Sequence, residues 1–220
     1  MNLTRIIVLA NSRKQSNSCL AGIEMKTGKW VRPVTNLPDG GVPKSDMRTG
    51  GHRPQLLDIL DIPLDTTGPD FEFDSENRTI LPGPWHLHGQ ADMKDVLKYA
   101  TRPRHVLHND RKYVTVDEMK LIPLENRTTL ELIRVDDFAI LDTGTTPSEK
   151  HEWKGVVSSG ERKLELKITD PVFFERLNSG HTASKSCLLT MSLGMPYKPP
   201  NWEEEKAPVC WKLIAGIIEL

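Results

Sequence analysis

No stretch of this chain stays apolar for long. Its aliphatic runs are a strand's length, and turn residues break them throughout, with 16 Pro and 15 Gly in 220 residues. Runs of about 4–8 residues rich in Val, Ile and Leu and bounded by Gly, Pro, Asn or Asp read as β-strands. None approaches the ~20 apolar residues of a membrane-crossing helix. With 37% hydrophobic residues the chain can bury a core, which excludes a disordered or collagen-like polymer. The first residues carry no cleavable signal pattern, so a cytoplasmic location with no membrane association is expected. Cys19, Cys187 and Cys210 lie far apart without a Cys-x-x-Cys, and read as reduced thiols.

Strands are expected at residues 5–10, 18–25, 30–32, 56–64, 113–116, 130–135, 138–141, 153–157, 163–169, 187–193 and 211–220. The clearest is 163–169, where Leu164, Leu166 and Ile168 alternate with Lys163, Glu165 and Lys167. Met93, Val96, Leu97 and Ala100 have helical spacing. A second helix is expected from Asp170 as N-cap and Pro171 in the first turn, stopping at Asn178-Ser179-Gly180. The chain is therefore mostly β with a few short helices, and suits two OB-like five-stranded barrels, although a sandwich fits the periodicity nearly as well. The expected division is 1–110 for a first barrel with an acidic insert and 111–220 for a second. That boundary is provisional, because the terminal strands could share one barrel.

The hairpin around Gly28 carries the most local information. A bulged turn ending at Gly28 pairs Glu24 with Trp30 and Ile23 with Val31, which turns Ala21, Ile23, Met25 and Val31 to the core and Trp30, Arg32 and Glu24 away from it. A two-residue turn at Thr27-Gly28 sends Trp30 inward. The bulged turn is preferred, because Thr lacks the positive-φ tolerance that the shorter turn demands. Trp30 beside Arg32 would then be a stacking platform, and Trp30 as ordinary core is the competing reading.

A net charge of −1 hides a partition along the chain. Residues 1–55 hold nine Lys/Arg against three Asp/Glu, and residues 56–97 hold two against nine. Residues 98–112 turn basic again, with Arg102, Arg104, Arg111 and Lys112 between Tyr99 and Tyr113. Such a connector could track backbone phosphates, or pair with the acidic stretch as a solvated linker.

The blocks Asn11-Ser12-Arg13-Lys14, Cys19-Leu20-Ala21-Gly22-Ile23, Gly28-Lys29-Trp30-Val31-Arg32-Pro33-Val34, Ser192-Leu193-Gly194 with Pro196-Tyr197, and Trp211-Lys212-Leu213-Ile214-Ala215-Gly216-Ile217-Ile218 resemble the dual OB-containing domain of bacterial proteins. They sit at both ends of the chain, so the resemblance covers essentially all of it. It implies two OB-like barrels and a nucleic-acid-binding role, with bacterial defence among its settings. In an OB barrel the loop after the first strand contributes to ligand grip, which makes Asn11, Ser12, Arg13 and Lys14 candidate contacts.

Enzyme signatures are thin. Asp142-Thr143-Gly144 resembles an aspartic-protease loop but occurs once, and two such aspartates are needed. His86-x-His88 and His105-x-x-His108 lack a third ligand placed by spacing. No phosphate-binding glycine loop and no Gly-x-Ser-x-Gly is present. The expectation is a non-enzymatic protein without cofactor or metal that binds single-stranded nucleic acid through Asn11, Ser12, Arg13, Lys14, Trp30, Arg32, Arg102, Arg104, Arg111 and Lys112. Two alternatives stand beside it. One is an interaction module using its acidic surfaces on a protein partner or a second copy in a homodimer; the other is an enzyme with a pocket assembled from distant residues.

Overall fold

The structure is a computed structural model describing residues 3–14, 17–43, 45–47, 49–70, 73–123, 126–145 and 151–220. It is mostly β, in two sheets, and separates into two compact units, Met1–Tyr99 and Ala100–Leu220. The first and last strands lie in different units, and the boundary falls ahead of the basic connector.

In the first unit β1 (Leu3–Lys14), β2 (Asn17–Glu24) and β3 (Trp30–Val34) form an antiparallel meander, β4 (Asp58–Pro63) pairs with β1, and β5 (Asn77–Thr79) runs parallel to β3. A bridge between Leu64 and Ile80 joins the ends of β4 and β5. Neighbours therefore run β1-β2-β3-β5-β4 and back to β1, the five-strand circuit of an OB-type barrel, with its last link a single bridge instead of a ladder. β6 (His86–Gln90) flanks β4 outside the circuit. Ile6, Val8, Leu20, Val31, Leu60, Ile62 and Trp85 fill the centre. The short helix α1 (Met93–Leu97) ends the unit.

The Gly28 hairpin takes neither expected register. Glu24 pairs with Lys29, Ile23 with Trp30 and Gly22 with Val31, around a four-residue tip in which Gly28 has φ +69°. The slip reverses β2 and not β3. Leu20 and Val31 face the core, while Ile23, expected inside, stands with Trp30 on the opposite face. β3 also continues through Pro33, where the ladder to β2 has already ended and no N–H is required.

β5 is polar throughout and has no strand signature. It is held by Arg32, whose guanidinium lies 2.9 Å from Asp74 and 3.1 Å from Glu76 and is almost fully covered. Burial works against this charge, but Asp74 and Glu76 outweigh it and leave its pKa raised. Asn77 extends the tie by donating to the Pro69 carbonyl at 2.7 Å.

In the second unit β9 (Ala139–Thr145), β10 (His151–Ser159) and β11 (Arg162–Ile168) make the meander, β13 (Val209–Glu219) runs parallel to β11, and β12 (Cys187–Leu193) lies against β13. β8 (Leu130–Val135) pairs with β12 and leads straight into β9 through Asp136 and Asp137. β8 and β9 thus act as one strand bent at the two aspartates, and the same circuit recurs. Between β11 and β12 lies the expected helix, α3 (Pro171–Asn178), where the Asp170 carboxylate accepts from the amides of Val172 and Phe173 at 3.0 Å and Gly180 ends the turn at φ +84°. Another helix, α2 (Val116–Leu121), follows β7 (Tyr113–Thr115) and was not expected; Thr115 and Glu118 form its capping box.

The connector is folded onto this second unit. Val106 and Leu107 are buried, and Ser159 donates to the Asn109 carbonyl at 2.8 Å. The ammonium of Lys212, itself 2% exposed, donates to Val106 O at 2.6 Å, Asn109 O at 2.7 Å and Asn109 Oδ1 at 2.9 Å. Burial, with Arg111 adding repulsion, pushes its pKa down to about 8, so it keeps its proton and all three bonds at neutral pH.

Two substitutions test these anchors. Arg32→Met leaves Asp74 and Glu76 without their guanidinium, and urea unfolding is expected to show a loss of about 3–5 kcal/mol; unchanged stability would mean that the cluster does not hold β5. Lys212→Met leaves the Val106 carbonyl without its donor, at about 1–3 kcal/mol, while Asn109 keeps the Ser159 hydroxyl on its carbonyl and the Arg111 amide on its Oδ1. Amide exchange at residues 106–109 should then quicken while β12 stays protected, and unaltered exchange there would count against the clamp.

Candidate nucleic-acid interface

β13 and β7 place Tyr113 directly opposite Trp211. The loop that enters β13 folds back through paired bonds between Tyr197 and Val209, and brings Trp202 onto both rings. The three centroids stand 5.4–5.7 Å apart, with interplanar angles between 59° and 70°. Rings packed this closely leave no cage between them for a cation, so their outer faces and edges are what they offer. Each is half-buried, and Tyr197 nearby is exposed. The indole Nε1 of Trp211 is buried and has no partner among the described residues.

Cations flank this cluster. The Arg111 guanidinium lies 5.3 Å from the Tyr113 ring centre, and the Lys206 ammonium 5.7 Å from that of Trp202. Arg111 also pairs with Glu118, Lys112 with Glu165 at 3.3 Å, and Lys206 with Glu203 at 3.3 Å. These pairs are open to solvent, where an ion pair is worth only about 0–1 kcal/mol. A phosphate can therefore replace a carboxylate partner at little cost. Hydrogen bonds from Thr115, together with Arg111, outweigh desolvation and hold the Glu118 carboxyl below its ordinary range.

The residues singled out from the sequence meet different fates. Arg111 stands beside the aromatic cluster, and Lys112, the chain neighbour of Tyr113, pairs with Glu165. Arg102 pairs with Asp136, and Arg104 is exposed. The connector's acidic partners are Asp136, Glu118 and Glu165 of its own unit. In the first unit, Asn11-Ser12-Arg13-Lys14 is the end of β1 and not a loop. Asn11 donates to the Pro54 carbonyl at 2.6 Å and Ser12 is buried, while the side chains of Arg13 and Lys14 lie outside the described set. Trp30 is half-buried. Arg32 does turn off the core face, but the expectation of an exposed cation beside Trp30 is corrected, since the acidic segment leading into β5 covers it.

Among the other motifs, Asp142 sits on β9, accepts from the Gly144 amide at 2.8 Å and lies 3.0 Å from His151, which is ordinary turn chemistry. His86 and His88 are exposed on β6, and His108 meets the Thr128 carbonyl at 2.8 Å. No group of three potential metal ligands occurs among the described residues. Burial pushes the Cys187 thiol up to about 12, so it is not a nucleophile at neutral pH. Sequence reading missed Trp202 and Trp211. The available signal was the interleaving of Tyr197, Lys198, Trp202, Lys206 and Trp211, obscured by Glu203-Glu204-Glu205.

Among the described residues, no helix is long and apolar enough to cross a membrane. Neither a curated protein nor a solved structure matches the chain. The family model of the dual OB-containing domain matches residues 4–217, and OB-type domains generally bind nucleic acids or oligosaccharides. Both five-strand circuits and this match across nearly the whole length lead to one assignment: the chain belongs to the dual OB-containing domain family.

Proposed function

We propose that the second unit binds single-stranded nucleic acid, with bases stacked on Tyr113, Trp202 and Trp211 and phosphates taken by Arg111, Lys112 and Lys206. The observation that carries this reading is the aromatic cluster with its two ring-capping cations at the entry to β13. The loop before the last strand of an OB circuit is one of the loops such barrels use for oligonucleotides. Base faces are free to stack only when unpaired, so these rings favour a single strand over a duplex. The cations are already partly neutralised by Glu118, Glu165 and Glu203, so stacking contributes more than charge, and the affinity should fall only moderately with salt. Trp30, with the exposed Lys26 and Lys29 at its hairpin tip, supplies a lesser contact in the first unit.

Fluorescence anisotropy with labelled single-stranded DNA, single-stranded RNA and duplex DNA tests the proposal. The single strands should bind with quenching of tryptophan emission, and the duplex much more weakly. Trp202→Ala should lose about 1–3 kcal/mol, roughly five- to 150-fold in Kd. Lys112→Glu should weaken all sequences alike and lower the salt slope by about one. Single strands that bind no better than duplex, or a folded Trp202→Ala that binds as wild type does, would refute it.

A further inference from the structure

A cavity of about 300 Å³ opens in the second unit where the bent strand turns from β8 toward β9. Its floor is apolar: Val106 and Ile133 are buried there, with Pro103 and Val135 beside them. Its rim is polar and carries both signs of charge, with Arg102, Arg134, Asp136 and Asp137, and with Ser158 at the mouth. Small-molecule sites span about 300–1,000 Å³, so this one suits a single ring system and little more.

The rim groups are not equally committed. Asp136 accepts from Arg102 at 2.5 Å and from the Ser186 hydroxyl at 2.9 Å, and lies 3.5 Å from Arg134. Each guanidinium meets Asp136 through one nitrogen and keeps its other N–H groups as donors. Asp137, one residue on, has no hydrogen bond or ion pair among the described residues. The cavity lining therefore includes two guanidiniums with donors to spare, the uncommitted Asp137 and an apolar floor.

A free phosphate does not match this lining, because two carboxylates offset the two guanidiniums and the floor is hydrocarbon. A planar base does. Guanine alone among the four bases presents two adjacent acceptors, O6 and N7, which fit a guanidinium fork, and two adjacent donors, N1–H and N2–H, which fit a carboxylate. The connector links this cavity to the aromatic cluster, since Arg102 and Val106 line the one and Arg111 flanks the other. We infer that the cavity receives one unpaired guanine of the bound strand, read by Asp137 and by Arg102 or Arg134, an inference that rests on the single-strand reading above.

The test uses the full chain and two labelled probes, a short oligothymidylate and the same oligomer with one central guanine. The guanine-containing probe should bind about tenfold more tightly, which is about 1.4 kcal/mol. Asp137→Asn should abolish that difference while leaving oligothymidylate binding unchanged. Ser158→Trp, which blocks the mouth from an exposed strand position, should do the same. Equal affinity for both probes, with binding still sensitive to Trp202→Ala, overturns the guanine pocket and leaves the single-strand reading standing. Two further probes, with a central adenine or cytosine, complete the set, and a preference for either over guanine likewise overturns the guanine assignment. Absence of binding by either probe at low salt overturns both.

Discussion

One buried ammonium organises the second unit. Lys212 points inward from β13 and ties down a loop that would otherwise be solvated, holding the carbonyls of Val106 and Asn109. A lysine is seldom this buried, and three short bonds from one NH₃⁺ are what make it tolerable. Through that clamp the basic connector lies against the sheet of its own unit. Arg111, Lys112 and Tyr113 are set beside Trp211, and Arg102 with Pro103 closes one side of the cavity at the strand bend. Backbone bonds at Thr101, Arg104 and Lys112 hold the same segment at its two ends, and the ammonium fixes the turn between them.

The first unit solves a comparable problem with another buried cation, this one held by carboxylates. Its weakest link is β5, three polar residues with no apolar face. Arg32 reaches across from β3 to Asp74 and Glu76 and fixes the segment in parallel register. Replacing a buried ion cluster by apolar side chains is often neutral for stability, so what such a cluster supplies here is registry. The cost is that Arg32 is used up as a structural residue, although its spacing from Trp30 suggested a ligand contact.

How much was legible follows from where the specifying forces lie. Strands β8 and β12 and the helix at Asp170 were readable to the residue or nearly so, because their signals are local: aliphatic runs in the strands, and an Asp-Pro start and a Gly stop in the helix. The Gly28 hairpin was located but slipped by one residue, since several loop lengths satisfy the same Thr-Gly pair, and the choice depends on how β2 packs against β1. β5 could not be seen at all, being defined by an ion cluster between distant residues. Arg111 and Lys112 were picked out for their charge, but their partners Trp202 and Trp211 come from the far end of the chain and meet Tyr113 only through the β7–β13 pairing. The capping box at Thr115 and Glu118 was legible in principle and was hidden by the strand character of the residues just before it.

The measurement that bears most directly on the account is ultraviolet cross-linking of the full chain to a single-stranded oligonucleotide carrying photoreactive pyrimidines, with the cross-linked peptides mapped by mass spectrometry. The account predicts adducts on Tyr113, Trp202 or Trp211, and their loss when unlabelled single strand is added in excess. Adducts confined to the hairpin that carries Trp30, with none in the second unit, would contradict it.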